Sequence, residues 1–172
     1  KPAQLELQLY TKPSIGDGTQ SNNPWLMELP DPISRLSWDN YITISPKDAE
    51  SLGLENSLNA RMQLDGDTVN VTANGVTLKD VPVFIQPGQA DGSLGLALGY
   101  GKKDSGKVAE TGVNAYPLFD GYNTVITNVK IEKSGDGHEF AGMQLQNTLM
   151  GRYEIAKEVT LDDFINKPVD EW

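Results

Sequence analysis

The chain has 172 residues, 38% of them hydrophobic, with 24 acidic against 14 basic side chains and a formal charge of −10. That length suits one domain, or one domain with a tail, and allows roughly two-thirds of the unfolded surface to be buried. The charge speaks against nucleic acid and against anionic membrane surfaces, which are bound through Lys and Arg. No apolar run approaches the roughly 18 residues of a membrane span. There is no Cys and a single His, His138. This excludes Cys-ligated zinc, iron–sulfur ligation and Cys nucleophiles within the chain, and leaves the redox compartment open. The chain opens Lys1-Pro2-Ala3, without Met or an apolar leader, as expected of a segment cut from a longer protein.

Leu5, Leu7 and Leu9 alternate with Glu6, Gln8 and Tyr10, the period of a half-buried strand. Residues 11–32 lose that period and are rich in Gly, Ser, Asn and Pro, a long loop of the kind that often carries function. A strand returns over 41–44. Ser45-Pro46-Lys47-Asp48 is a helix start, with a capping hydroxyl, Pro at the first helical position and an acid in the first turn. Ala49, Leu52 and Gly53 give a two-turn helix ending in a left-handed residue. Two short strands, 58–64 and 68–72, flank Asp65-Gly66-Asp67 as a hairpin, and Asn74-Gly75 marks a further turn. Residues 81–86 form a buried strand, and 88–106 a glycine-rich stretch.

A strand over 123–133 is followed by a turn at Ser134-Gly135-Asp136-Gly137, with 138–146 pairing back. Thr160 and Asp163 make a capping box that opens a short C-terminal helix. Many short strands, one or two short helices and long Gly-rich connections together predict a mainly β protein, a barrel with small helical insertions.

The motifs with chemical potential are incomplete. Residues 101–108 approach a phosphate loop, but Val108 stands where a magnesium-ligating Ser or Thr belongs, and no strand and helix flank it. Lys102, Lys103 and Lys107 remain a local basic cluster, whose ordinary reading is a solvated loop. Asp65-Gly66-Asp67 lacks the later ligands of a calcium loop, since Val69 takes the next position. Asn70-Val71-Thr72 matches a glycosylation acceptor but lies in a predicted strand. His138 sits beside a Gly-rich turn with no nucleophile elbow elsewhere, and the acids show no pairing pattern. Neutral amides are more suggestive. Asn22, Asn23, Asn40, Gln86, Gln89 and Asn114 lie in or beside the Gly-rich loops, where backbone N–H groups and carboxamides can grip a polar heterocycle and a pyrophosphate. Gly and Asn serving only as turn residues is the commoner reading.

The stretch from Asn23 and Pro24 through Leu26 and Glu28 to Pro32, then Trp38-Asp39-Asn40-Tyr41, then Ile44-Ser45-Pro46-Lys47-Asp48-Ala49 with Leu52-Gly53-Leu54, followed by 83–101, resembles the molybdopterin-dinucleotide-binding domain of the dimethyl sulfoxide reductase superfamily. In that family an N-P-x-L-x-E segment leads to an I-x-P-x-x-A-x-x-L-G helix and then to a strand ending in a Pro-Gly loop. The likeness covers roughly residues 5–117. The tail from Gln146 to Phe164, with Met150-Gly151-Arg152 and Glu158-Val159-Thr160-Leu161, is similar to the segment that follows this domain in the iron–sulfur subunit of bacterial alternative complex III. That complex is a quinol:electron-acceptor oxidoreductase.

The resemblance implies a double-psi β-barrel over 1–122, with 123–172 adding strands and a short helix that complete the domain and lead to the next module. It implies a domain that closes over molybdopterin guanine dinucleotide. Asn22, Asn23 and the Gln86-Pro87-Gly88-Gln89 loop would face the dinucleotide, and Asn114 would approach the pterin. No residue of this chain would ligate the metal, and no catalytic residue is expected. Iron–sulfur clusters would lie outside the chain. The partners implied are other domains of the same subunit and other subunits of a membrane-associated respiratory complex, on the periplasmic side of the inner membrane.

One departure matters. The family's Gly loop often carries His or Arg, whereas this chain has Gln89-Ala90-Asp91. A carboxylate beside a pyrophosphate repels it, at about a kcal/mol or more in a partly desolvated site. Alternative complex III relatives have lost the molybdenum cofactor and kept the fold, which gives a second expectation: a cofactor-free scaffold domain of an electron-transfer complex.

Overall fold

The computed structural model describes residues 5–61, 63–143 and 159–168. Six strands close into a barrel: β1 (Leu5–Tyr10), β3 (Ile42–Ile44), β5 (Leu64–Ala73), β6 (Val76–Ile85), β7 (Ser93–Ala97) and β8 (Val125–Glu139). Around the ring the order is β5-β6-β3-β7-β1-β8, and pairing of β8 with β5 shuts it. β1 runs parallel to β7, and β3 parallel to β6; the other ring pairs are antiparallel. Read in either direction from the β5–β8 seam, the ring gives the same run of antiparallel and parallel pairs, an internal two-fold. The expected class, a mainly β barrel with few short helices, is borne out. The closing strand β8 comes from the 123–172 part, so the barrel is not complete without it.

Three short helices decorate the ring: α1 (Pro24–Met27), α2 (Pro46–Leu52) and α3 (Leu161–Asn166). Both expected helix starts are present. Ser45 accepts from the Asp48 N–H, and Gly53 ends α2 at φ 65°. Thr160 likewise accepts from the Asp163 N–H at the head of α3. Two strands stand outside the ring. β2 (Leu36–Ser37) pairs with β9 (Ala141–Gly142), and β4 (Asn56–Leu58) extends the sheet beyond β5.

Period-2 alternation points one row of each ring strand inward, broken in β8 where a bulge sets Ile126 and Val129 three residues apart. Leu7 and Leu9, Ile42 and Ile44, Val69 and Val71, Val81 and Val83, Leu94 and Leu96, and Ile126 and Val129 form one buried cluster. Each such side chain contributes about 1.5–3 kcal/mol relative to exposure.

Four expectations are corrected. Asp65-Gly66-Asp67 is not a turn but lies within β5; the turn is at 60–61, where the Asn59 carboxamide oxygen accepts the N–H groups of Arg61 and Gln63. Gly66 is required for closeness. A Cβ there would come within 2.6 Å of the Phe140 ring and 2.7 Å of the Val83 carbonyl. The glycine-rich stretch 88–106 contains β7 at its centre, with Gly95 pressed against the Thr43 hydroxyl. A five-residue buried strand bounded by glycines offers too little alternation to read.

Ser134-Gly135-Asp136-Gly137 does not reverse the chain either, because β8 runs through it. Asp67 pairs with Gly137 and Val69 with Lys133, so three residues of β8 bulge opposite Thr68. Of the expected return strand, only β9 at 141–142 is observed, pairing with β2 and not with β8, and 144–146 lie outside the described residues. The tail motifs from Gln146 through Glu158 also lie outside them. Asn74-Gly75 is a hairpin turn as expected, with φ of 50° and 76°.

The β8 bulge is held by one buried hydroxyl. Thr68 donates to the Asp136 carbonyl at 2.7 Å and shares a hydrogen bond with the Ser134 hydroxyl. Thr68→Val keeps the shape and leaves both groups short of a partner, so it is expected to cost about 1–3 kcal/mol. Thr68→Ser is expected to recover most of that loss. Urea unfolding midpoints at constant m-value check this.

Candidate functional site

β1 and β7 run parallel and finish on the side where β3 begins. Three connections therefore converge there: 11–23, 38–41 and 98–115. They interlock through backbone. A Cβ on Gly99 would come within 2.8 Å of the Gly18 nitrogen, and one on Gly112 within 2.7 Å of the Asn40 side-chain oxygen.

Asn40 is the hub of this convergence. It is fully buried, and its carboxamide donates to the Ala97 and Val113 carbonyls and accepts the Val113 N–H, all at 2.8 Å. Lys102 of the basic cluster donates to the Gly18 carbonyl at 2.7 Å, whereas Lys103 and Lys107 are exposed. No strand-loop-helix unit surrounds these lysines, in line with a solvated loop.

Beneath the loops lies a buried polar cluster that the sequence did not announce. Lys12 is 3% exposed. Its ammonium donates to the Asp39 carbonyl at 2.9 Å and sits 4.0 Å from the centre of the Tyr41 ring and 5.3 Å from that of Tyr100. Such cation–π contacts favour a desolvated ammonium. Burial still pushes the Lys12 amine down to about 8, against the opposing pull of Asp31 and Asp39. Burial also raises the phenols of Tyr10 and Tyr41 well above the ordinary range, and that of Tyr100 to about 12.

The Tyr41 hydroxyl bonds that of Ser34, and its ring packs against Phe84 and Phe140. His138 is not a loosely exposed residue. Its Nε2 meets the Asp39 carboxylate at 2.8 Å and its ring stands edge-on to Phe140. Neither Lys12 nor the Asp39–His138 pair left a signal in the sequence, since a lysine opening a loop reads as solvated.

The six expected cofactor-facing residues fall into two groups. Asn22 and Asn114 lie on the convergent loops. The Asn22 side chain packs where a Cβ on Gly106 would go, and the Asn114 backbone packs against Gly101. Asn23 is beside them, but its carboxamide oxygen caps α1 by accepting the Trp25 N–H. The Asn114 oxygen accepts the Tyr116 N–H.

Gln86, Gly88 and Gln89 belong to the connection that enters β7 from the other side, separated from the first group by the length of β7, roughly 13 Å at ~3.3 Å per residue. There the Gln86 N–H bonds the Ile44 carbonyl, and Gly88 makes the turn at φ 88°. Gln89 staples β3 to β7, donating to the Thr43 and Ser93 carbonyls at 3.0 and 2.7 Å, with its oxygen buried and unpartnered. Asp91 is held by Lys47 at 2.7 Å on the surface. Among the described residues no cluster of acids and His could hold a metal ion. Among them, too, no helix is long and apolar enough to cross a membrane.

The structure thus defines a closed mixed β-barrel with buried polar ties on the β3–β7–β1 side. The chain matches no protein-family model and no curated protein.

Two outcomes follow. The folded pKa of Lys12 lies below its unfolded value of about 10.4, so from about pH 8 to about pH 9.5 the unfolded chain holds more protons and stability rises with pH. The rise is on the order of 2 kcal/mol, at 1.4 kcal/mol per unit. Above about pH 10 the sign reverses, because the unfolded chain loses tyrosyl protons that Tyr10, Tyr41 and Tyr100 retain when folded. Urea titrations across this range should show the rise in the parent and its loss in Lys12→Met, with the alkaline fall present in both.

The second outcome concerns Asn40. Asn40→Asp points a carboxylate at the carbonyls that the Asn40 amide served, at a cost of about 3–5 kcal/mol near neutral pH. Thermal melts against the parent should show part of that loss recovered at pH 4, where the acid can donate.

Proposed function

We propose that the chain is a scaffold barrel of the molybdopterin-dinucleotide-binding type, serving in a respiratory electron-transfer subunit without gripping the dinucleotide itself. The observation that carries this reading is where the amides are spent. Asn23 caps a helix, Asn114 closes a turn, Asn40 ties the convergent loops, and Gln89 staples two strands. A dinucleotide approaching these loops would have to replace hydrogen bonds that already hold the barrel together, each worth about 0.5–1.5 kcal/mol net and more when a buried group is orphaned.

The six residues also do not form one cradle, and on the connection before β7 the Asp91 carboxylate is taken up by Lys47. In this reading the barrel's contribution is positional. It holds neighbouring domains, other subunits and the iron–sulfur chain of the parent subunit at fixed separation on the periplasmic face, and carries no bond-making step.

A cofactor-binding reading retains one supporting observation. Asn22 is exposed beside Gly106, a position from which an amide could meet a ligand.

The deciding experiment is metal and pterin analysis of the full parent subunit purified from its own host. The scaffold reading expects iron with neither molybdenum nor tungsten, and no pterin fluorescence after oxidation. Near-stoichiometric molybdenum or tungsten with pterin would overturn it.

A further inference from the structure

The sequence contains a single Asn-Gly pair, Asn74-Gly75. It forms the two-residue turn between β5 and β6, closed by the pairing of Ala73 with Val76. Both residues are exposed and left-handed, at φ 50° and 76°. Asn74 presents an electrophilic carboxamide carbon one residue before the backbone nitrogen of Gly75. Neither the Asn74 carboxamide nor the Gly75 N–H makes a hydrogen bond among the described residues. A Cβ on Gly75 would meet nothing within 4 Å, so solvent base reaches the nitrogen and no wall blocks a ring from forming there. Comparable pairs elsewhere are occupied. The Gly18 and Gly92 N–H groups, each after an Asp, are spent on the Ile15 carbonyl and the Asp48 carboxylate. Thr19 and Lys47 hold Asp17 and Asp91 below the usual carboxylate range, and the Asn123 N–H does so for Asp120; an ionised carboxylate is a poor electrophile. Gly66 and Gly137 lie within paired strands.

We propose that Asn74-Gly75 is a site of self-modification, at which the chain cyclises and reopens with an isoaspartyl linkage. The Gly75 nitrogen gives its proton to solvent base and forms a bond to Asn74 Cγ. The Cγ–Nδ2 bond breaks, and Nδ2 leaves as ammonia with a proton from water. The product is a five-membered succinimide, and water then adds to one of its two carbonyls. Attack at Cγ restores the ordinary linkage with an aspartate side chain. Attack at the main-chain carbonyl leaves that carbon as a carboxylate and carries the chain through Cγ. The left-handed turn has to relax for the nitrogen to reach Cγ. An exposed loop tip, tied by the Thr72–Thr77 hydroxyl pair at 2.9 Å, opens locally while the barrel stays closed. The isoaspartyl form sets one extra backbone atom in a turn whose twist otherwise matches its strands. Buried Ala73 and Val76, which packs on the main core cluster, flank that turn. Conversion therefore loosens this end of β5 and β6 and makes a chain of charge −10 more negative.

The test uses the full chain, held folded at mildly alkaline pH and body temperature for days to weeks. Intact mass should rise by the exchange of ammonia for water. Electron-transfer fragmentation of its peptides should place the gain at Asn74, with isoaspartyl product exceeding aspartyl. Asn74→Gln, whose side chain would have to close a six-membered ring, should lose the gain at that position. Converted parent should melt below fresh parent, whereas Asn74→Asp, with the charge but not the extra backbone atom, should melt closer to it. A parent unchanged in mass while the urea-unfolded chain converts would overturn the inference, because the folded turn would then be shielding Asn74. So would a gain placed at other asparagines with Asn74 intact, or conversion to aspartate without the isoaspartyl form. The parent chain alone decides between these outcomes, whatever the variants do to folding.

Discussion

Everything in this molecule depends on the pairing of β5 with β8. Those strands are about sixty to seventy residues apart in sequence, and their ladder from Asp65–Glu139 to Thr72–Lys130 closes the ring. Without it the sheet has two open edges and its apolar row faces water, so the clustered Leu, Ile and Val side chains have no interior to share. A straight fifteen-residue strand could not wrap the barrel. The three-residue bulge opposite Thr68 bends β8, and the buried Thr68 hydroxyl satisfies the backbone that the bulge frees. Closing so non-local a pair carries a large loop-closure entropy before any contact offsets it, which places this fold among the slower-forming topologies.

Around the closed ring, buried polar groups replace regular structure as the means of fixing long connections. Asn40 and Lys12 each reach across the convergent loops to a carbonyl far away in sequence. Asn40 does so without charge, and all the hydrogen bonds it makes are short. Lys12 carries a cation into a space walled by tyrosines, where the ring faces and the Asp31 and Asp39 carboxylates offset part of the desolvation. Breaking either tie leaves an unpaired buried group, and so the loops are specified more sharply than their glycine content implies.

That same economy shapes the functional reading. Carboxamides are suited to a heterocycle because they carry donor and acceptor in one plane, and suited to backbone for the same reason. In this chain most of those near the Gly-rich loops are turned to backbone. Fold class does not decide function; the proposed scaffold reading rests on the disposition of these amides.

The sequence by itself determined the elements whose signals are local. Leu5, Leu7 and Leu9 announced β1, Ser45 with Gly53 bounded α2, Thr160 with Asp163 opened α3, and Asn74-Gly75 made the β5–β6 hairpin. Each rests on a side chain bonding or packing within a few residues of itself. The tertiary structure alone decided the rest. Gly66 and Gly135 looked like turn residues, yet one makes room for Phe140 and the other lies in a bulge set by Thr68. Gln89 read as a ligand-facing amide and is a strand staple, and Lys12, which carried no signal in the sequence, is buried. In each case the deciding neighbour lies more than twenty residues away. Whether a glycine turns or clears space, and whether an amide faces ligand or backbone, is fixed by what the closed barrel brings against it.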